Sequence, residues 1–567
     1  MKRLPLFLMC LLLAGAFAMY GCSRPQSGGA EPVDPANFNT LGTYPIVKQM
    51  AELTFAVQSA SSPKNWSTNW FTRFYEDKTN VRIRFVQYPS QQFKERVNLA
   101  FASGERLDFV VTGGSGDSLY SRSEILRYVQ QGVIQRYDHL IDSNTIHMKA
   151  GFEKYPGLKE SFTLPDGSMY VPPAVSQQLA PLYYAKMWVN MQWLENLNLS
   201  VPTTLDEFRN MLIAFRDRDA NGNGDPSDEI PMAGAFNIFS SKVDTFLMSA
   251  FVYDDGDNRL YLDDGKVTAA FSQPEFRDGL RYLAQLYSEG LIYPDSFVLR
   301  SNELQFGNSQ KYESIVGAIP ANHNGNLGSR ESNQYPRWLE YRPIAPLKGP
   351  NGLQITRYDY YPNDEATCGF FPATSVNVPL TLRWLDWMYT DEGAIIYTQG
   401  GKGISWTDAD PGTTGEDGSP AVFKTIRPVM GRFDGNFRWG NGLPMYRPAS
   451  WFGQIQTAAD IMEPSGSGAR FMYYWTQQNY VPYGAPVSMQ IPPLYYNEAD
   501  ISAIASLTAT INTYVEESIA RFVTGQMNVD RDWDRYLTEL RNMGLERYLS
   551  IIQNTYDASS YAASARR

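Results

Sequence analysis

The run from Asp219 to Pro231, DANGNGDPSDEIP, sets Asp, Asn and Glu side chains at close intervals on a turn-forming stretch. Side-chain and carbonyl oxygens at such spacing are the ligands calcium prefers. Asp219, Asn221, Asn223, the carbonyl of Asp225, Asp228 and Glu229 are expected to converge on one ion. Gly222 and Gly224 permit the sharp turns, as glycine does in an EF-hand loop, although the spacing to the final acid differs from that loop. A solvated Asx/Gly turn ending the preceding helix is the plainer alternative. Six potential ligands in so short a run favour calcium in a structural role, since no catalytic base or phosphate site accompanies them.

Other chemistry-bearing residues are less specific. GGSGDS, residues 113 to 118, lacks the GK[ST] signature of a phosphate loop and reads as a glycine-rich turn into a helix. A glycosidase needs two positioned carboxylates, and Asp364 with Glu365, or Asp108 with Asp117, supply candidates that nothing in the pattern singles out. Aromatic residues make up 14% of the chain, with 36 Tyr and 12 Trp, more than cores require, so many must line surfaces. The formal net charge of −11 argues against a nucleic-acid partner.

Lys2 and Arg3 followed by the apolar run 4 to 19 read as an export signal too short for a comfortable membrane span. Met19-Tyr20-Gly21-Cys22 resembles a bacterial lipobox, with bulkier residues than usual at 19 and 20. The resemblance makes Cys22 the acylated first residue of the mature chain, and two or more acyl chains anchor stably. Residues 22–45, rich in Ser, Gly, Pro and Asn, read as a flexible tether. No later stretch approaches the roughly 18 consecutive apolar residues of a spanning helix. With Cys10 removed and Cys22 acylated, Cys368 has no disulfide partner. Stability must come from burial, and a chain of this length with 43% hydrophobic residues can build two cores.

The elements that position these residues follow from periodicity. LTFAVQS (53 to 59), VRIRFVQ (81 to 87) and RLDFVVTGG (106 to 114) read as strands. Between the last two, Phe93, Val97, Ala100 and Phe101 share a helical face that ends at Gly104. Such βαβ units imply a largely parallel sheet. DGSMYVPPA, 166 to 174, reads as a short strand broken by paired prolines, suited to a hinge. A helix opens at Thr204 with Glu207 completing a capping box, stripes Leu205, Phe208, Met211, Leu212 and Phe215, and stops at Asp217. SIVGAIP precedes IPANHNGN; 383 to 401 reads as one helix closed by glycines. The last eighty or so residues read as helical, with one helix reaching Gly525 and a second carrying Trp533, Leu537 and Leu540.

Several of these segments together resemble bacterial family 1 extracellular solute-binding lipoproteins, a group that includes alginate-oligosaccharide-binding proteins. The carrying stretches are NLAFASGERLDFVVTG, LPDGSMYVPP, WLENLNLSVPTTLDEFRNMLIAFRDRDANGNGDPSDEIPM, WMYTDEGAIIYTQGGKGISW and the terminal FVTGQMNVDRDWDRYLTELRNMGLERYLSIIQNTYDA. The similarity runs from about residue 50 to the C-terminus. Relative to the family, the loop holds one extra residue at Asp225-Pro226-Ser227.

The resemblance implies a type 2 periplasmic-binding-protein fold, two α/β lobes joined by hinge strands with a ligand cleft between them that closes by hinge motion. Residues 1–21 would be signal, 46–172 with 355–402 one lobe, and 173–354 with 403–567 the other. Loops at strand C-termini should line the cleft. That selects Trp66, Trp70, Ser115, Asp117, Tyr170, Asn322, His323, Trp406, Arg438, Trp439 and Trp451 as ligand-binding candidates, whereas Trp188, Trp193, Trp384, Trp387 and Trp533 sit in helical patterns and belong to cores. Flat rings beside Asn, Asp and Arg suit sugars, whose CH faces are apolar and whose hydroxyls need directed partners.

The expected function is a monomeric, lipid-anchored, extracytoplasmic carbohydrate-binding component that hands an oligosaccharide to ABC permease subunits without altering it. An oligopeptide-binding lipoprotein and, less favoured, a surface glycan hydrolase are the rivals. Arg427, Arg432, Arg438 and Arg447 leave open whether the sugar is neutral or acidic.

Overall fold

The computed structural model describes residues 31–562 apart from 60–64, 113–119, 156, 165, 237–240, 298–314, 328–336, 362–367, 427–435, 441–442, 463–467 and 560. Two four-stranded sheets organise the chain. In the first, Ala51–Ser59 pairs in parallel with Val81–Pro89 and with Phe109–Val111, and Gly369–Phe370 closes the other edge antiparallel. Leu53 to Val57 are all buried, Thr54 included, because this strand is covered on both faces, which explains why it shows no polar-out alternation. In Val81–Pro89, Val81 and Ile83 point inward while Arg82 and Arg84 point out, as an edge strand with one wet face requires. The parallel order expected from the βαβ pattern is what these strands form.

In the second sheet Met187–Asn190 is antiparallel to both Val316–Pro320 and Tyr341–Ile344, and Ile230–Met232 runs parallel to Val316–Pro320. Each sheet has its own core. Phe55, Tyr75, Phe109, Trp384, Trp387 and Trp439 lie in one, and Trp193, Phe208, Phe215, Leu283, Phe522 and Trp533 in the other. Trp188 joins Ile319, Tyr341 and Phe471 in a smaller cluster beside the second.

Local signals act where they are strong. Thr204 and Glu207 form the capping box that starts Leu205–Asp217, and Gly104 ends Phe93–Ser103 in the left-handed region at φ 69°. Three expectations need correction. The helix read across 383 to 401 is two, Val378–Asp386 and Asp391–Gln399, because the Thr390 hydroxyl accepts the Gly393 N–H and starts a new helix. Residues 166 to 174 form no strand in their described part; pairing begins just beyond the prolines, where Val175–Ser176 lies parallel to Tyr446–Arg447. The C-terminal region holds three helices, Glu498–Val523, Val529–Asn542 and Leu545–Asp557, the last opened by Gly544 at φ 97°.

Met169, Val171 and Val175 belong to the first core, and Leu179 and Tyr183 already pack on the second, so the chain crosses between them near 176 to 179. Tyr358 still packs on the second core and Phe370 lies in the first, and after Tyr446 in the first core the chain reaches Phe471 beside the second. Trp439, Leu443, Met445 and Tyr446, assigned by the sequence reading to the second lobe, pack in the first core.

Candidate functional site

The three crossings border one cavity of about 1720 Å³. Tyr155, Leu158, Glu160 and Ser161 line it from the first core's side. Val175, Ser176 and Gln177 line it from the first crossing, Tyr358, Asp359, Tyr360 and Tyr361 from the second. The opposite wall holds Asp263 and Asp264 on a hairpin turn, Tyr473 and Gln477 on the helix Ala469–Asn479, and Tyr556 and Tyr561 at the C-terminal end. Eight tyrosines contribute, counting Tyr184, and no tryptophan does among the described lining residues.

The tyrosines form a connected series. Tyr358 stacks on Tyr183 with centroids 4.9 Å apart, Tyr360 meets Tyr361 edge-on at 5.1 Å, and Tyr361 meets Tyr561 at 5.4 Å. Burial pushes the phenols of Tyr358 and Tyr561 above their ordinary value and that of Tyr361 up to about 12, so all three stay neutral donors at physiological pH. The second crossing is pinned at both ends. The Asp359 N–H donates to the Leu182 carbonyl at 2.8 Å, the Tyr360 N–H to the Gln490 side chain at 3.2 Å, and the Arg357 guanidinium pairs with Asp359 at 2.6 Å. Tyr360 itself is 52% exposed, a large ring held open to solvent on a fixed backbone.

The described candidates for ligand contact lie elsewhere. Trp66 and Trp439 meet edge-on at 5.0 Å inside the first core, their indole N–H groups donating to the Gln58 carbonyl and the Thr72 hydroxyl. Trp451 is buried against Phe423 and Phe452. The expectation of ring faces open to a ligand is corrected at these three: their apolar area is worth more buried than exposed. Trp70 stacks on Phe74 at 4.9 Å, Trp406 packs on Phe423, and Tyr170 packs half-buried against the first core. Arg438 donates to the Thr398 carbonyl at 2.8 Å. Asn322 and His323 follow Val316–Pro320, half-buried, away from the cavity lining. Ser115, Asp117 and Cys22 fall outside the described residues. Trp188, Trp193, Trp384, Trp387 and Trp533 are all buried, as their helical or strand settings require.

The Asp219 to Glu229 loop is folded on its own amides. Asp219 accepts the N–H groups of Gly222, Asn223 and Gly224, and Glu229 Oε1 accepts those of Ala220 and Asn221. The side-chain NH₂ groups of Asn221 and Asn223 each donate to Asp228 at 3.0 Å. Gly222 and Gly224, at φ 77° and 91°, take the turns that the sequence assigned to them. No three His, Cys, Asp or Glu side chains converge as a metal cluster among the described residues. One atom is unaccounted for. Glu229 Oε2 is buried without a partner, and burial raises the Glu229 carboxyl above its usual range. The oxygen-rich set with an orphaned carboxylate oxygen fits a hard cation.

No family profile matches the chain. The fructooligosaccharide ABC transporter substrate-binding protein FusA of Streptococcus pneumoniae is 27% identical over 538 residues, 91% of each chain. Lipoprotein LipO of Bacillus subtilis is 24% identical over 415 residues, 70% of this chain and 73% of LipO. Over most of its length the chain is similar to an ABC transporter substrate-binding protein. Solved structures give the same fold. An EF-hand mutant of FusA with fructo-nystose superposes with a TM-score of 0.72 at 24% identity, over 90% of this chain and 100% of that one. A human-milk-oligosaccharide-binding solute-binding protein of Bifidobacterium longum infantis gives 0.71 at 18% identity, over 90% and 99%. The fold of this chain is thus the two-lobed α/β one expected from the resemblance.

The residues that sequence reasoning missed are the cleft tyrosines. One signal was available: RYDYYP, residues 357 to 362, sets three tyrosines around an aspartate beside a proline, in no helical or strand period.

Proposed function

We propose that this solute-binding protein captures an oligosaccharide in the tyrosine-lined cleft, closes its lobes on it and hands it unaltered to a membrane ABC permease. The observation that carries this is the cleft itself: about 1720 Å³ bordered by the three crossings, with tyrosine rings interleaved with Ser161, Gln177, Gln477 and Gln490. Its volume exceeds the roughly 300–1,000 Å³ that suits a small ligand. Rings that stack on CH faces beside amide and hydroxyl groups that bond sugar hydroxyls match a saccharide chain. Affinity for the closed arrangement is what drives closure.

Supporting a binding role rather than hydrolysis, the Asp108 carboxylate is committed to the fold. It is 2% exposed and accepts the Thr54 N–H at 2.8 Å and the Ser375 hydroxyl at 3.3 Å. The lipobox-like Cys22 supports a lipid anchor that keeps the protein at the extracytoplasmic face beside its permease. Calcium held by Asp219, Asn221, Asn223, Asp225, Asp228 and Glu229 would cross-link the end of Leu205–Asp217 to the start of Ile230–Met232, a structural role.

The test is calorimetric titration of the chain from about residue 43 against a panel of oligosaccharides. Saturable binding with no released product is expected. Turnover of any bound sugar, or binding of peptides in place of sugars, would end this reading.

A further inference from the structure

The charge of the cleft selects among saccharides. Its described lining residues include four carboxylates, Glu160, Asp263, Asp264 and Asp359, and no Lys, Arg or His. Asp359 is neutralised by Arg357 at 2.6 Å. Glu160, Asp263 and Asp264 have no cationic partner within salt-bridge distance among the described residues. They stand on opposite walls: Glu160 on the helix Leu158–Phe162 of the first lobe, the two aspartates on the hairpin Leu260–Ala269 of the second.

The aspartate pair is held in place. Asp264 at φ 50° and Gly265 at φ 81° make the tight Asp-Gly turn that such hairpins favour. Gln553 clamps it, donating to the Gly265 carbonyl at 3.1 Å and accepting the Val267 N–H at 2.7 Å. The arginines that left an acidic sugar open do not face the cavity. Arg438 is turned to Thr398, and Arg447 lies behind the lining, over Trp451 at 5.8 Å and donating to the Ser176 hydroxyl at 3.4 Å. Arg427 and Arg432 lie outside the described residues.

Resting on the oligosaccharide reading above, we propose that the cleft is selective for neutral, hydroxyl-rich oligosaccharides and rejects uronic ones through Glu160, Asp263 and Asp264. Hydroxyls donate charge-assisted hydrogen bonds to carboxylates. A uronate brings a like charge into a concave site whose walls focus the field, in a chain already at net −11. Rejection by a repulsive element is as effective a source of specificity as a new attraction.

The test measures neutral tetrasaccharides (fructo-, malto- and manno-) by calorimetry, and tetragalacturonate and tetramannuronate by competition against the best neutral one. At least one neutral sugar is expected to bind, with both uronates weaker by roughly tenfold or more. Glu160→Gln, Asp263→Asn and Asp264→Asn combined should narrow that ratio severalfold, and high salt should narrow it in the native chain. A uronate that binds as tightly as the best neutral sugar overturns the selectivity and leaves oligosaccharide capture standing. A ratio unmoved in the triple variant overturns the assignment to these carboxylates. Binding of no sugar at all overturns the oligosaccharide reading itself, and this inference with it.

Discussion

Ser161 and Tyr561, 400 positions apart in the chain, bring their hydroxyl oxygens to 3.2 Å at the edge of the cleft. Ser161 belongs to a short helix of the first lobe, and Tyr561 packs on the second core. The Ser161 carbonyl also accepts the Tyr495 hydroxyl and an Arg122 N–H, both at 2.7 Å. One turn of backbone thus gathers groups from both lobes, with Tyr561 also meeting Tyr361 of the second crossing.

Tyr561→Phe removes one of these links and keeps the ring. A single net hydrogen bond contributes about 1 kcal/mol, so amide exchange across Leu158–Phe162 should quicken roughly fivefold, while that of Leu205–Asp217 stays unchanged. Equal exchange in both proteins would mean the contact does not hold the lobes.

Tyr360 and Trp66 separate affinity from stability. Tyr360 is exposed in the cleft, so Tyr360→Ala should weaken sugar binding by about 1–2 kcal/mol with little change in melting. Trp66 is 6% exposed within the first core, and Trp66→Ala should cost about 3–5 kcal/mol of stability by leaving a cavity. Calorimetry and thermal melting on the two variants check this. The reverse pattern would return Trp66 to the ligand site.

The contrast shows what was legible in the sequence. A capping box, a buried apolar run or a glycine C-cap acts over a few residues, and those elements form where expected. The cleft is assembled from Tyr155, Tyr184, Tyr358, Tyr473 and Tyr556, which no local pattern connects. Tryptophan was the natural candidate for a sugar platform, yet the ring area that suits it to that task also drives it into cores, as the Trp66 and Trp439 pair shows. Tyrosines such as Tyr75 are buried too, but Tyr360 stays at the wet surface, 52% exposed. The Asp219 to Glu229 loop was recognised from composition, but its hydrogen-bond arrangement depends on competition between amides and a cation.

That competition is measurable. Calcium should raise the melting temperature in proportion to its binding free energy, about 2.7 kcal/mol at a hundredfold excess over Kd, and chelation should reverse it. Asp219→Ala removes acceptors of three loop amides and lowers stability even without metal. The diagnostic is therefore the calcium-dependent increment, which Asp219→Ala and Glu229→Gln should abolish. An increment that survives both substitutions would place the ion elsewhere.

Glu416 offers a pH signature at the first crossing. It is 7% exposed, and its Oε2 accepts the side-chain N–H of Gln178 at 3.1 Å, just beyond Val175–Ser176. Burial pushes its carboxyl up to about 7; the Gln178 bond pulls it down, and neighbouring Asp417 adds to the rise. The folded state therefore holds this proton more tightly than the unfolded chain, whose ordinary carboxyl value is 4.5. Stability linked to Glu416 is full below about pH 4.5, declines as pH rises toward 7, and is lost above it. Glu416→Gln keeps an acceptor for Gln178 and removes the titration. The variant should exceed the native chain by roughly 1–3 kcal/mol at pH 8, with the difference vanishing near pH 4. Melting both proteins across this range checks it, and a difference independent of pH would show that the buried carboxyl does not titrate between those limits.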